Sequence, residues 1–342
     1  MQMDENLRDI LKDSLTRSLT KEKSEILFGK IMDGSFSDIH LSAILASMSS
    51  RGETVEELIG ATKAMREHST KIVGGADVID IVGTGGDGKG TLNISTASAI
   101  VVSGCGIRVA KHGNRNISSR SGAANILEAL GINVMMTPEV AQKCLDEIGI
   151  CFMMAPVFHP AMKNVMPVRN ELGIRTIFNV LGPLTNPAGV KKQLTGAFSK
   201  ELLEPMAHTL LALETETAWL VHGNDGTDEI AISDLTNVVE LKDRAIRKFT
   251  LNPADYGFNC HNFEGLIGGD PDYNAEQLKA LLGGKTGIYR DSVLLNSAAA
   301  LYIAGAAKDL NEGIIIASKS IDEGKALNKL TELRKISSSK GK

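Results

Sequence analysis

Apolar residues follow two periodicities along this chain, and one gives way to the other near residue 77. Ahead of that point Leu41, Ile44, Leu45 and Met48 recur at i, i+3, i+4 and i+7, the spacing of one helix face. Thr54, followed three residues later by Glu57, is a capping-box signature opening a helix over VEELIGATKAMREH. No run of β type occurs before residue 77, so residues 4–70 read as helices only. Beyond it, strand and helix alternate. ADVIDIV (76–82), IRVAK (107–111), INVMM (132–136), ICFMMA (150–155), QLTGAFS (193–199) and TAWLVHG (217–223) read as strands. Between them NISTASAIVVSG (93–104), SGAANILEALG (121–131), PEVAQKCLDEIG (138–149), PAMKNVMPVRNELG (160–173) and residues 200–214 read as helices. Residues 275–283 and 291–334 return to helix, broken by the strand-like GIIIAS (313–318), and the SSSKGK end is expected to fray.

Short β-rich segments repeatedly crossed by helices imply a mostly parallel central sheet covered on both faces. The fold class is therefore α/β: a small all-helical N-terminal domain, residues 1–72, ahead of a large α/β domain, residues 73–342, whose central sheet is flanked by helices. The glycines of TKIVGGA mark the hinge between them.

Bulk properties narrow the function. A net charge of −4 over 342 residues disfavours nucleic acid or an anionic membrane as partner. The charge-free runs 90–107 and 292–307 are interrupted by Ser, Asn and Gly, and neither qualifies as a membrane span. The first residues, MQMDENLRDILKD, are charged throughout and lack the apolar core of a signal peptide. Cys105, Cys144, Cys151 and Cys260 form no C-x-x-C pair and read as buried thiols of a reducing compartment, so the expected location is cytoplasmic.

The stretch DIVGTGGDGKG (80–90) fits two phosphate-loop patterns at once. Gly83, Gly85 and Gly88 satisfy the dinucleotide fingerprint. That reading also requires an acidic residue at the end of the second strand, where this chain has Arg108 and Lys111. Gly83, Gly88 and Lys89 nearly satisfy the P-loop, but Gly90 stands where Ser or Thr must hold Mg²⁺. The surroundings still point to phosphate. From Gly88 to Leu127 there is no Asp or Glu, where average usage would place about five. The same window carries Lys89, Arg108, Lys111, His112, Arg115 and Arg120, with Ser/Thr-rich helix starts at NIST (93–96) and SSRSG (118–122). Helix N-termini offer free N–H groups and partial positive charge. A glycine loop, two helix starts and a cationic strand would converge at the C-terminal edge of a parallel sheet, a site for a ligand with more than one phosphate group.

Together GTGGD (83–87), NIST (93–96), KHGNRNISSRSG (111–122), HPAMKNVMPVRNELGIRTIFNVLGPLTNPA (159–188) and GTDEI (226–230) resemble the anthranilate phosphoribosyltransferase family. The match runs over nearly the whole chain, and the ordered set is more specific than GTGGD, which nucleoside phosphorylases share. The resemblance implies transfer of the 5-phosphoribosyl group from phosphoribosyl pyrophosphate to the amine of anthranilate in tryptophan biosynthesis. It also implies Mg²⁺, a homodimer formed through the helical domain, and packing of the 160–190 region against that domain. Ala123 and Thr227 depart from the family pattern, which has Ser and a larger apolar residue there.

Carried over residue by residue, the resemblance assigns phosphoribosyl pyrophosphate contacts to Gly83, Gly86, Asp87, Thr91, Asn93, Ile94, Ser95, Thr96, Lys111, Asn114, Ser118 and Ser119. Gly83, His112, Asn114 and Arg169 fall on the anthranilate side, with Lys111 and His112 as the catalytic pair. Arg169 suits a carboxylate because its fork binds one bidentately. Asp228 and Glu229 after the turn NDG would anchor Mg²⁺, with Ser95 adding a hydroxyl. An acidic pair after a turn is alone an ordinary surface feature, but Mg²⁺ needs only one or two carboxylates beside substrate oxygens. Lys111 is placed at a strand terminus as a point charge for the diphosphate. His159, before Pro160, reads as structural, and Pro183 and Pro187 as stiffeners of a channel wall.

Two rivals follow from the same residues. A nucleoside phosphorylase of this fold would use inorganic phosphate and leave Asp228, Glu229 and Arg169 without a task. A silent relative binding nucleic acid on the basic strip would call for a basic chain without the acidic pair. Neither fits as well.

Overall fold

The computed structural model describes residues 5–115, 121–258 and 262–339. Ser118, Ser119 and Arg120, the thiol of Cys260 and residues 340–342 lie outside the described residues. Four helices lead the chain: α1 (Glu5–Thr16), α2 (Lys21–Met32), α3 (Asp38–Arg51) and α4 (Val55–Glu67). Leu41, Ile44, Leu45 and Met48 all face inward from α3. Thr54 and Glu57 close the capping box at the start of α4. The same Glu57 carboxylate is fully buried, bonds the N–H of Leu19 at 2.9 Å and pairs with Arg51. One side chain thus caps α4 and ties it to both the α1–α2 connection and the end of α3.

The alternating region supplies β1 (Val78–Gly83), α5 (Ile94–Gly104), β2 (Arg108–Gly113), α6 (Ala123–Ala129), α7 (Pro138–Ile148) and β3 (Ile150–Met154). The short helices α8 (Ala155–Phe158), α9 (Met166–Leu172) and α10 (Phe178–Leu184) precede β4 (Lys192–Gly196). Then follow α11 (Leu203–Ala212), β5 (Thr217–Gly223), β6 (Thr236–Lys242) and β7 (Ala245–Leu251). The chain closes with α12 (Pro271–Leu282), α13 (Ile288–Ala304), α14 (Leu310–Asp322) and α15 (Lys325–Ser337). Among the described residues seven strands pair in the order β3-β2-β1-β4-β5-β6-β7. The first five are parallel and the last two antiparallel.

Two apolar cores flank this sheet, and the two-residue period of the strands divides their side chains between them. On β5, Trp219 and Val221 join the core under α5–α7 and α12–α15, while Ala218 and Leu220 join the other. That second core is continuous with the interior of α1–α4. It also takes in Val165, Val168, Ile177, Phe178, Leu181 and Leu184, so the 160–190 region packs on the bundle. Arg66 of α4 locks this contact by donating from Nε to the carbonyl of Leu184 at 2.9 Å.

Two readings of local structure are corrected, and one hairpin was not anticipated. INVMM is not a strand: Ile132, Val134 and Met136 alternate inward as a strand would, but the segment pairs with no neighbour among the described residues. GIIIAS lies inside α14, where Gly313, Ala317 and Ile321 form the buried face and Ile315 points outward. The hairpin β6–β7 carries no expected label at all.

Candidate active site

Strand order reverses between β1 and β4: the chain builds β1, β2 and β3 toward one edge, then returns to lay β4 and β5 on the other side. At such a reversal the crossovers leave the sheet in opposite directions, and a crevice opens at the strand carboxyl ends. There β1 and β4 end on Gly83 and Gly196, in register with each other. The loop after Gly83 lies over this crevice. Gly85, Gly86, Gly88 and Gly90 hold φ between 63° and 73°, a region glycine enters without steric cost. The glycines thus follow from the path of the loop. Its far end is tied to residues 263–274, where Gly268 donates to Gly90 and Leu92 to Leu266, each at 2.8 Å.

Asp228 and Glu229 reach this crevice from the loop after β5. Asp228 Oδ2 accepts the N–H of Gly85 at 2.7 Å. Glu229 Oε1 accepts the N–H of Ser95 at 3.0 Å, so a carboxylate sits at the positive end of α5. One of the free N–H groups expected there for phosphate is therefore already bonded to protein. Burial and the neighbouring charge of Asp87 push the Asp228 carboxyl up to about 7. Burial and Asp228 push Glu229 well above the usual carboxylate range. Carboxylates crowded at this cost favour a cation that takes oxygen donors, and the set on offer, two adjacent carboxylates with the Ser95 hydroxyl nearby, suits Mg²⁺.

Lys111 corrects one expectation. It lies within β2 rather than at the strand end, and is 4% exposed. Its ammonium donates to the carbonyl of Ile81 at 2.5 Å and to Ser95 Oγ at 3.3 Å. Burial lowers its pKa, while Asp80, Glu229 and Asp228 pull it back. Lys111 is thus a buried cation on the inner wall of the crevice. Asn93 caps α5 without a side-chain cap bond. Its amide spans Ser121 O at 3.2 Å and the Asn274 amide at 3.0 Å. Ile94 is buried behind it, and Thr91 bridges to Ile267. Thr96 Oγ1 is buried with no hydrogen-bond partner among the described residues. Asp87 Oδ1 accepts the N–H of Lys89 at 3.0 Å.

On the other side of β2, His112 is buried and its Nδ1 meets the carbonyl of Gly182 at 3.2 Å. A carbonyl only accepts, so Nδ1 carries the hydrogen and Nε2 holds a lone pair, which has no partner among the described residues. Burial, aided by His159, pushes the ring down to about 3. His159 faces it with ring centroids 5.0 Å apart and is itself pushed down to about 4 by burial. Beneath them Asp80, fully buried, accepts from the His112 N–H at 3.2 Å and from Asn186 at 2.7 Å. Asn114 is exposed and its Oδ1 turns back to the N–H of Arg115. Arg169 on α9 is half-buried over the ring of Phe178, 5.5 Å from its centroid, and among the described residues it makes no ion pair with Glu171.

The structure thus brings Gly83, Gly86, Asp87, Asn93, Ser95, Lys111, Asp228 and Glu229 around one crevice. His112 lies on β2 beside Lys111, and Arg169 on α9 of the 160–190 segment. Sequence reading missed several neighbours. Arg175 donates to Gly86 O at 2.5 Å while stacking on Phe198, and its carbonyl accepts from Ser49 of α3 at 2.8 Å. No spacing rule marks an arginine that binds a carbonyl. Asp80 was hidden inside a strand pattern, although a charge within DVIDIV is itself a signal for a buried partner.

Residues 7–69 match the helical bundle domain of a glycosyl transferase family, and residues 75–327 match its α/β domain. The chain is 48% identical over 328 residues to an anthranilate phosphoribosyltransferase of Rhodopseudomonas palustris, covering 96% of this chain and 97% of that one. Its fold is similar to that of the anthranilate phosphoribosyltransferase of Thermus thermophilus. The TM-score is 0.92 at 39% identity, over 97% of this chain and 100% of that one. It is also similar to the Saccharomyces cerevisiae enzyme in complex with phosphoribosyl pyrophosphate and Mg, at TM-score 0.89 and 29% identity over 99% of both chains. The same yeast enzyme in complex with 4-fluoroanthranilate gives 0.87 and 28% over 98% of both.

Proposed function

The chain belongs to the anthranilate phosphoribosyltransferase family, and on that premise we infer that it moves the 5-phosphoribosyl group of phosphoribosyl pyrophosphate onto the amine of anthranilate. The products are N-(5-phosphoribosyl)anthranilate and pyrophosphate, a step of tryptophan biosynthesis. The observation that carries the site is the meeting of Asp228 and Glu229 with the glycine loop and the start of α5.

In the reaction the C1–O bond to pyrophosphate breaks with both electrons leaving on oxygen. The amine lone pair forms the C1–N bond, and one amine proton departs. An aromatic amine is neutral at pH 7, so charge stabilisation and alignment supply most of the acceleration. Asp228, Glu229 and the Ser95 hydroxyl would hold Mg²⁺, which would supply positive charge against the leaving diphosphate. Lys111 adds a fixed cation on the inner wall, worth more there than in water because water is excluded. The loop Gly83–Asp87, with Thr91, Asn93, Ile94, Thr96, Asn114, Ser118 and Ser119, is read as the cradle of sugar and phosphate. Arg169 takes the anthranilate carboxylate, and His112, kept neutral by burial, presents the Nε2 lone pair as a hydrogen-bond acceptor.

Residues 1–72 are read as a helical domain and 73–342 as the α/β domain. A homodimer through the helical domain is supported by Leu15, Ile26 and Ile39 on α1–α3, where Ile39 is 81% exposed. A cytoplasmic location agrees with the unpaired thiols of Cys105, Cys144 and Cys151. Among the described residues no helix is long and apolar enough to cross a membrane.

Incubating the purified chain with anthranilate and phosphoribosyl pyrophosphate, and separately with nucleosides and inorganic phosphate, tests the assignment. Phosphoribosylation of anthranilate alone supports it. Phosphorolysis of nucleosides alone replaces it with the phosphorylase reading.

A further inference from the structure

We propose that Gly83 and Gly196 are positioning residues for Asp228, because their missing side chains leave the seat that its backbone and carboxylate occupy. The proposal rests on reading Asp228 as a metal anchor.

Neither glycine is required by its backbone angle, since both lie outside the left-handed region that the neighbouring loop glycines use. What distinguishes them is space. A Cβ on Gly196 would stand 1.5 Å from the carbonyl oxygen of Asp228 and 2.4 Å from its carbonyl carbon. A Cβ on Gly83 would stand 2.3 Å from Asp228 Oδ2 and 3.0 Å from Cγ. Because the two face each other across the β1–β4 ladder, the gaps form one trough at the strand ends. The main chain of Asp228 sits in the Gly196 half and its carboxylate in the Gly83 half. The Gly85 N–H then holds the carboxylate at 2.7 Å.

Two further bonds keep the trough from opening. Thr84 N–H donates to Gly196 O at 2.9 Å, and Phe198 N–H donates to Thr84 Oγ1 at 3.0 Å. They extend the pairing of β1 and β4 past the last ladder residues. The anchor itself lies outside any helix or strand, in a segment 143 residues away from Gly85. A rigid pair of strand ends therefore supplies the precision that its own loop lacks.

The two halves respond differently to a methyl group. Alanine at 83 collides with a carboxylate that can rotate, leaving the backbone in place. Alanine at 196 collides with backbone, so the whole 224–232 segment must shift.

Binding of Mn²⁺, followed by electron paramagnetic resonance of the free ion, reports on the seat without turnover. It is measured for wild type, Gly83→Ala, Asp228→Ala and the double variant, with folding checked by circular dichroism. Gly83→Ala is expected to weaken Mn²⁺ about tenfold alone and to have no further effect in the Asp228→Ala background, since both act through one group. Gly196→Ala is expected to weaken it at least as much; if it does not fold, the Gly83→Ala cycle still decides. Wild-type Mn²⁺ affinity in Gly83→Ala, or an undiminished effect of that change beside Asp228→Ala, overturns the seat and leaves the anchor standing. Wild-type affinity in Asp228→Ala overturns the anchor, and the seat falls with it.

Discussion

The ammonium of Lys111 stands 3.3 Å from the hydroxyl of Ser95, joining the middle of β2 to the first turn of α5 beneath the crevice. A buried ammonium held between that hydroxyl and the Ile81 carbonyl is a cation of fixed position. Replacing it by Met keeps most of the volume and removes the charge. We expect Lys111→Met to lower kcat by about 10²–10³, the range for loss of a preorganised stabilising group. Arginine should not restore the rate, because the planar fork does not fit a pocket built for a point charge. Steady-state rates, with circular dichroism to confirm folding, check both statements.

The facing imidazoles of His112 and His159 give a pH dependence with a definite sign. Their pKa values fall to about 3 and about 4 on folding, from near 6.5 in the unfolded chain. Between those values and 6.5 the unfolded state binds protons that the folded state does not. Their contribution to stability is therefore complete above pH 6.5 and is lost as pH falls through this window. Nitrogen-15 spectra should show both rings neutral from pH 8 to about 5. His159→Asn should lose less stability than wild type between pH 7 and 5 in urea titrations. Equal slopes would contradict the shifts.

Arg169 meets the ring of Phe178 and, among the described residues, lies in no ion pair, an expensive way to hold a half-buried guanidinium unless a ligand completes it. Removing a charged hydrogen bond costs about 1.5–3 kcal/mol, so Arg169→Ala should raise KM for anthranilate by roughly 10–100-fold. KM for phosphoribosyl pyrophosphate should stay within about twofold, inside the usual additivity error for separated sites. A matching rise in both would show that the residue holds the domain rather than the carboxylate.

The parallel part of the sheet was legible because each buried strand is a short apolar run bounded by glycine or a helix start. The β6–β7 hairpin was not. Its turn is Asp243–Arg244, both at positive φ, where Asn-Gly or Asp-Gly is the sequence signal. INVMM misled because its alternation is real: Asn133 ties it to Ser337 of α15 instead of to a strand. The isoleucines of α14 misled because a β-branched run outweighed Gly313, which lets that helix approach α13 at Ala298. At the site, the motif GTDEI singled out Asp228 and Glu229 as candidate metal anchors. The seat under Asp228 was not, because Gly196 gains its meaning only when a residue distant in sequence folds onto it.

The most direct test of the account is the Mg²⁺-dependent loss of anthranilate fluorescence when phosphoribosyl pyrophosphate is added to wild type and to Asp228→Ala/Glu229→Ala. Rapid loss is expected with wild type, none without Mg²⁺, and a rate at least about 10²-fold lower in the folded double variant. A folded double variant that consumes anthranilate at the wild-type rate, with the same Mg²⁺ dependence, would contradict it.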